Sequence, residues 1–421
     1  MRALSAPLMR RPTLKTVGLI VLALGSLLIA LTGGWSVMYR ITYIVAALLV
    51  ISALWAFLGA RSLSVERRVR AQRAQVGGFF EEWVAVDNTS ILPKPWAEIR
   101  TQSNLGTHAV RKGFALGPRS RRSWTIHTEC TIRGKFKLGD IVVATGDPFG
   151  LFQRRRQFPS ETTVLIYPKT VDFATPPHIP GQLPGGARQR GHVHYVTPTA
   201  SSVREYQPAD AFNRIHWPTT ARTGRLMVKE FELDPFADVW VAVDLHREPQ
   251  VGRGVESTEE YAVTLGASFA RYFLMQNRSV GVLTQFEVIP PDRGTRQLTK
   301  IFELLAIARA DRWQSLAELL AAENLRLNRL ATLVVVTPSV DLAWVEITRH
   351  LVERGVHVMV ALIEPATFGG GRSSLEAVGA LAVANIPTYL VKRGEPLENA
   401  LTSPQAGGEA RMAPEGIARV S

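Results

Sequence analysis

Cysteine is nearly missing from this chain of 421 residues, with Cys130 standing alone. One thiol excludes an intramolecular disulfide and fits a reducing compartment. No Cys-His arrangement lies near it, so Cys130 reads as a small apolar residue of a strand. The chain also lacks a G-x-x-x-x-G-K-[ST] phosphate loop, an H-E-x-x-H helix and a G-x-S-x-G elbow. It therefore shows no nucleotide-hydrolysing, zincin or esterase machinery of its own. No helix-turn-helix, zinc finger or RNA-recognition motif is recognisable, and nucleic acid is not an expected partner. Acidic residues are scarce in one part of the chain only. Residues 1–60 carry five Lys/Arg and no Asp/Glu, residues 61–230 carry 26 against 13, and residues 231–421 carry 18 against 23. The positive excess behind the net charge of +13 thus belongs to the first 230 residues, and the remainder is mildly acidic.

Two uncharged apolar stretches, Thr16–Leu31 and Ile41–Ala60, explain where that charge sits. Each approaches the roughly 20 residues a helix needs to cross a bilayer. They predict a transmembrane hairpin over 16–60, with spans 16–34 and 41–60 behind a basic N-terminus of residues 1–15. Trp35, Tyr39 and Tyr43 are expected near one interface. A cleaved signal peptide is the other reading of the first stretch; the immediate second stretch and the lack of a clear small-x-small site weigh against it. Arg2, Arg10, Arg11 and Lys15 precede the hairpin, Arg61, Arg67, Arg68, Arg70 and Arg73 follow it, and only Arg40 lies between. The positive-inside bias places both termini in the cytoplasm, with basic flanks drawn to anionic lipid headgroups.

From residue 61 to 175, short alternating stretches such as EEWVAVDNTS, WAEIRTQS and TTVLIYP are broken by turn signals. Period-two alternation predicts an antiparallel β-sandwich-like module. Within it DPFGLF, Asp147–Phe152, reads as an Asp-Pro turn with Phe149 and Phe152 as apolar plugs. Residues 176–200 form a Pro/Gly-rich loop. It carries His192 and His194, whose spacing would suit a metal on a strand but which have no further ligand nearby. Residues 236–394 alternate apolar strands with amphipathic helices, the pattern of a doubly wound α/β domain with a largely parallel sheet. Expected strands run near Val239–His246, Ser279–Phe286, Ala331–Ser339, His357–Glu364 and Pro387–Arg393. Expected helices lie near Thr258–Met275, Arg296–Ala308, Gln314–Arg326, Leu342–Arg354 and Ser373–Ala384. The tail, 395–421, loses periodicity and is expected to be disordered.

The densest polar segment is VREYQPADAFNRIHWPTTARTGRLMVKEFE, Val203–Glu232, within a linking region of residues 201–235. It packs five Lys/Arg and four acidic side chains among four aromatics, which predicts a paired polar network at a junction. Arg204, Tyr206, Asp210, Arg214, Ile215, Trp217, Ala221, Arg222, Leu226, Val228, Lys229, Phe231 and Glu232 resemble the signature of the bacterial domain-of-unknown-function family fifty-eight. Ala209 departs from it where the family usually carries glycine. RGKFKLGDIVVATGDPFGLF, Arg133–Phe152, and VLIYP at Val164–Pro168 are a second match.

That resemblance implies a multi-pass protein of the bacterial cytoplasmic membrane with a von Willebrand factor A-like C-terminal domain. In metal-binding members of that fold, D-x-S-x-S follows the first strand and holds Mg²⁺. Here Asp244 is followed by Leu245, His246, Arg247 and Glu248, so both serines are replaced, and the later Asp gives way to Thr337, Pro338, Ser339. Arg247 would oppose a cation. Asp244 is thus a degenerate metal-site position expected to bond backbone amides, and neither metal nor cofactor is expected. The resemblance also implies a partner, a MoxR-type AAA+ ATPase. Two functions stay open. One is a non-enzymatic membrane-anchored adaptor, its signature network of Arg204, Tyr206, Asp210, Arg214, His216, Trp217, Arg222, Lys229 and Glu232 acting as a structural clamp. The other is an enzyme or anionic-ligand-binding protein built on Asp210, Arg214, His216 and Arg222, with His216 in acid-base chemistry.

Overall fold

The computed structural model describes residues 14–106, 110–174, 200–206, 215–231 and 238–399, together with a two-residue strand, Leu8–Met9 (β1). The loop around His192 and His194 and the tail beyond Asn399 lie outside the described residues. The chain divides into two compact units, Met1–Lys169 with Leu305–Ile307 and Thr170–Leu304 with Ala308–Ser421.

The first unit opens with two apolar helices, Leu14–Gly33 (α1) and Ser36–Arg61 (α2), both long and apolar enough to cross a membrane. Only Gly34 and Trp35 separate them, so Tyr39 and Arg40, expected in or beside a loop, belong to α2. Gly34 makes this tight turn possible: its φ of 68° is left-handed, and its N–H closes on Ala30 O at 3.0 Å. Between the helices Ser26 Oγ and Thr42 Oγ1 meet at 2.8 Å, a polar pairing suited to an apolar solvent. At about 1.5 Å per residue the 26 residues of α2 exceed the roughly 30 Å of a hydrocarbon core.

Strands follow α2 almost without a break. They are Leu63–Val69 (β2), Arg73–Gln75 (β3), Phe79–Asn88 (β4), Lys94–Ser103 (β5), Arg111–Leu116 (β6), Arg121–Glu129 (β7), Gly134–Gly146 (β8), Gln153–Phe158 (β9) and Thr162–Tyr167 (β10). β2, β4 and β7 make a three-stranded antiparallel sheet; the remainder, with β1, form a seven-stranded sheet around the long β8. One pair departs from the antiparallel expectation: β3 runs parallel to β10. Leu63, Val84 and Val86 of the smaller sheet share a core with Ala97, Ile99, Ile141 and Val143 of the larger. A second cluster joins Phe80, Leu138, Val164 and Ile166 around Cys130, whose thiol is pushed up in pKa chiefly by burial.

A buried cation marks the exit of α2. Lys94 is fully buried, its stem lies against Gly59, and its ammonium donates to Leu92 O at 2.8 Å and Ser90 Oγ at 3.0 Å. Burial holds its pKa below the ordinary lysine value, while the carbonyl end of α2 favours a cation there.

The second unit is built on Val239–Val243 (β13), Val280–Leu283 (β14), Val288–Asp292 (β15), Thr332–Thr337 (β16), His357–Ile363 (β17) and Thr388–Val391 (β18). A separate antiparallel pair, Ala200–Glu205 (β11) and Met227–Phe231 (β12), precedes them with the helix Trp217–Thr223 (α3) between. The main sheet has the order β15-β14-β13-β16-β17-β18, parallel except for β15. β15 is an edge strand that the sequence pattern did not predict, because Pro290 and Pro291 cannot donate to a ladder and are confined to edges. β13 and β16 are buried at every residue, as a sheet covered on both faces requires.

The helices are Thr258–Met275 (α4), Gly294–Ile307 (α5), Leu316–Ala322 (α6), Leu342–Glu353 (α7) and Leu375–Val383 (α8). α4 sits against the Val243 face so closely that a Cβ on Gly266 would come within 2.4 Å of Val243. On the opposite face Trp240, Leu333, Val335 and Val360 pack with Leu320, Trp344, Leu351 and Leu381.

Candidate functional site

The signature segment supplies the β11–β12 pair, in which Arg204 stands opposite Val228 and Lys229 opposite Val203. Ile215 bridges to Val228 and is buried. His216 caps α3: its Nδ1 lies 2.7 Å from Thr219 Oγ1 and accepts from the Thr219 N–H at 3.3 Å. Gly224 closes the helix with φ of 70°. Trp217 is 64% exposed, so of the apolar residues flanking His216 only Ile215 is buried. The tryptophan stands at the first position of a helix with no buried residue. Arg222 is exposed, and the half-buried Tyr206 donates its N–H to Leu226 O. Asp210, Arg214 and Glu232 lie outside the described residues.

A tighter polar constellation forms at the carboxyl ends of the central strands. Asp244, the residue after β13, is completely buried. Its Oδ1 accepts from the His246 N–H at 3.0 Å and from Gln285 Nε2 at 2.8 Å, and its Oδ2 accepts from Thr337 Oγ1 at 2.6 Å. Gln285 follows β14 and Thr337 ends β16, so three neighbouring strands converge on one carboxylate. The amide of Gln285 is oriented by the Leu245 N–H, which donates to its Oε1 at 2.7 Å and turns the NH₂ toward Asp244. Thr337 Oγ1 accepts in turn from Ser339 N, Ser339 Oγ from Asp341 N, and Asp341 caps α7 through Ala343 N.

Burial raises the Asp244 pKa above 3.8, opposed first by the bond from Thr337 and then by those from His246 and Gln285. The strand order reverses between β13 and β16, where open α/β sheets form their ligand crevice. The chemistry of the donor set does not fit Mg²⁺. A hard cation needs oxygen ligands, yet both oxygens of Asp244 face hydrogen-bond donors, and the two positions that would carry serine are His246 and Glu248. Asp244 was expected to bond backbone amides; His246 provides one, and the other two donors are side chains that the sequence reading missed. Gln285 lies 41 residues and Thr337 93 residues away, beyond the reach of any local spacing rule.

The rim above this network is aromatic and cationic. Trp313 is 71% exposed with the Arg247 guanidinium 5.2 Å from its ring centroid. Arg312 lies 5.5 Å over Phe286, and the Arg247 N–H donates to Arg312 O at 2.8 Å, fixing the two loops together. These are residue types enriched at protein interfaces.

Among known proteins, the family described as "Protein of unknown function DUF58" matches residues 202–385. The "Uncharacterized protein YeaD" of Bacillus subtilis (strain 168) is 28% identical over 280 residues, which cover 65% of this chain and 63% of that protein. Solved structures overlap only locally. The CARDB domain of PF1109 from Pyrococcus furiosus gives a TM-score of 0.19 at 20% identity, covering 25% of this chain and 91% of that one. A β-glucosidase from Listeria innocua gives 0.18 at 11% identity over 25% and 16%. Scores this low carry no argument about fold or function. The match over residues 202–385 takes in the signature strands, the Asp244 network and most of the parallel sheet, and it places this part, somewhat under half of the chain, in the DUF58 family.

Proposed function

We propose that this protein is a membrane-anchored, non-enzymatic adaptor. Its hairpin crosses the bacterial cytoplasmic membrane twice with both termini in the cytoplasm. Its second unit is a von Willebrand factor A-like domain that offers the rim of Arg247, Phe286, Arg312 and Trp313 to a cytosolic partner, a MoxR-type AAA+ ATPase. The sheet order with its antiparallel edge and the carboxylate at the end of β13 support the domain reading. The observation that carries the adaptor reading is the closed state of Asp244. A carboxylate whose two oxygens are taken by three protein donors is a structural brace, and the groups left facing outward are interface types.

The test is affinity capture of the full-length protein from its own membranes, with and without a non-hydrolysable ATP analogue, beside the Trp313→Ala variant. Nucleotide-dependent recovery of an AAA+ ATPase by the parent and its loss in the variant is the expected result. Recovery of no ATPase under either condition overturns the partner; equal recovery by the variant overturns the rim.

A further inference from the structure

The Asp147–Phe152 turn is held far more rigidly than a surface loop needs. Asp147 is fully buried, and its carboxylate accepts from the N–H groups of Phe149 at 2.9 Å and Phe152 at 2.6 Å. Gly150 takes φ of 71°. A Cβ on Gly146 would meet Phe152 O at 2.5 Å and the Trp96 ring at 2.8 Å. This scaffold presents Phe149 at 59% exposure instead of plugging it into the core. The next residue but one fixes where that ring stands, because Thr16 Oγ1, in the first turn of α1, donates to Leu151 O at 2.7 Å. The turn is therefore level with the start of an apolar helix.

Cations gather at the same end of the hairpin. The guanidiniums of Arg61 and Arg154 lie 4.1 Å and 4.9 Å from the centroid of one ring, Phe57 of α2. Arg156 donates to the carbonyls of Arg61 and Leu63, each at 2.8 Å. Among the described residues none of these three guanidiniums has an ion-pair partner. Their neighbours in sequence differ: Arg67 is buried against Glu82, Arg68 pairs with Glu66 and Arg70 with Glu81. Of the arginines expected to meet headgroups after the second span, Arg67 is thus closed off, and strand β9 supplies charge in its place. Two guanidiniums sharing one ring repel each other unless an anion lies between or beside them.

We propose that the Asp147–Phe152 turn and Arg61, Arg154 and Arg156 form a headgroup site for an anionic phospholipid, the arginines taking the phosphodiester and Phe149 entering the interfacial layer. The unpaired charge, the exposed ring and two helices with apolar outer surfaces meet at one level, and a lipid with an anionic head answers all three. The inference rests on the hairpin being embedded.

The experiment uses the full-length protein in nanodiscs of phosphatidylcholine with and without phosphatidylglycerol, reading amide exchange over residues 147–158. Phosphatidylglycerol should slow exchange there roughly tenfold, and the Arg61→Gln/Arg154→Gln variant should lose this response while keeping its exchange in neutral lipid. Phe149→Ser should raise exchange in both lipids. Equal exchange in the two lipids, or an unchanged response in the double variant, overturns the site. A protein that fails to enter nanodiscs at all instead overturns the membrane reading beneath it.

Discussion

Glu82 in the first unit and Asp244 in the second are both completely buried carboxylates that tie strands together, and they are satisfied in opposite ways. Glu82 in the sandwich faces a cation: Arg67 Nε donates to its Oε1 at 2.7 Å, with both side chains all but inaccessible. Asp244 in the α/β unit faces only neutral donors. The difference follows from what each carboxylate holds together. Arg67 reaches past Glu82 to donate to Gly139 O at 2.7 Å and Ser160 O at 2.8 Å, so one guanidinium ties the three-stranded sheet to the larger one. Asp244 ties three strands of a single sheet at its carboxyl edge, where backbone and amide donors already converge. A sheet-to-sheet contact needs a long side chain with several donors; a strand-end loop does not.

The largest effect should come from breaking the ionic case. Arg67→Met takes the guanidinium from buried Glu82 and the donor from Gly139 O and Ser160 O, which should destabilise the sandwich by about 3–5 kcal/mol. Faster amide exchange throughout β4 would report it. The double change Arg67→Met/Glu82→Met should recover much of that loss, because a neutral pair has no charge to desolvate. A double variant as unstable as the single one would mean that the cross-sheet bonds to Gly139 and Ser160 dominate over the ion pair.

A smaller loss is expected from the neutral case. Thr337→Val removes the donor to Asp244 Oδ2 and the acceptor of the Ser339 N–H, both buried, and should destabilise the α/β unit by about 1–3 kcal/mol. Exchange in β13 and β16 would show it, with β4 unaffected. Equal acceleration in β4 would contradict the separation of the two networks.

How much of this was legible in sequence depends on the range of the interaction. Helix α4 runs from Thr258 to Met275 as its periodicity predicts, helped by Ser257 capping Glu260 N and by Glu259 and Glu260 in the first turn. Strands β13 and β16 announce themselves as unbroken apolar runs. β15 was invisible because its prolines break a strand pattern, and α3 because seven residues barely complete two turns. The paired polar network expected in the signature segment falls largely on residues outside the described ones, while a buried ion pair that the sequence did not single out joins Arg67 and Glu82. Charge density alone could not identify it, since a buried pair and a solvated one read alike until the strands are registered. Arg67 and Arg68 are neighbours with opposite fates because alternation along β2 turns one inward and the other out.

The finest test is one of charge alone. Because burial raises the Asp244 pKa in the folded protein, the native state holds a proton that the unfolded chain releases nearer 3.8. The associated stability is present in full below the unfolded value and is lost as pH rises through the raised folded one. Asp244→Asn removes that dependence. Its carbonyl can accept from His246 N and Gln285 Nε2, and its NH₂ can donate to Thr337 Oγ1, so the network keeps its shape. The variant should match the parent within about 1 kcal/mol in acid and equal or exceed it at neutral pH, read as exchange in β13 across pH. Glu82→Gln should do the reverse at neutral pH, since Arg67 then loses its counterion. If both amides destabilise equally at neutral pH, Asp244 depends on its charge as Glu82 does, and the contrast between the two buried carboxylates fails.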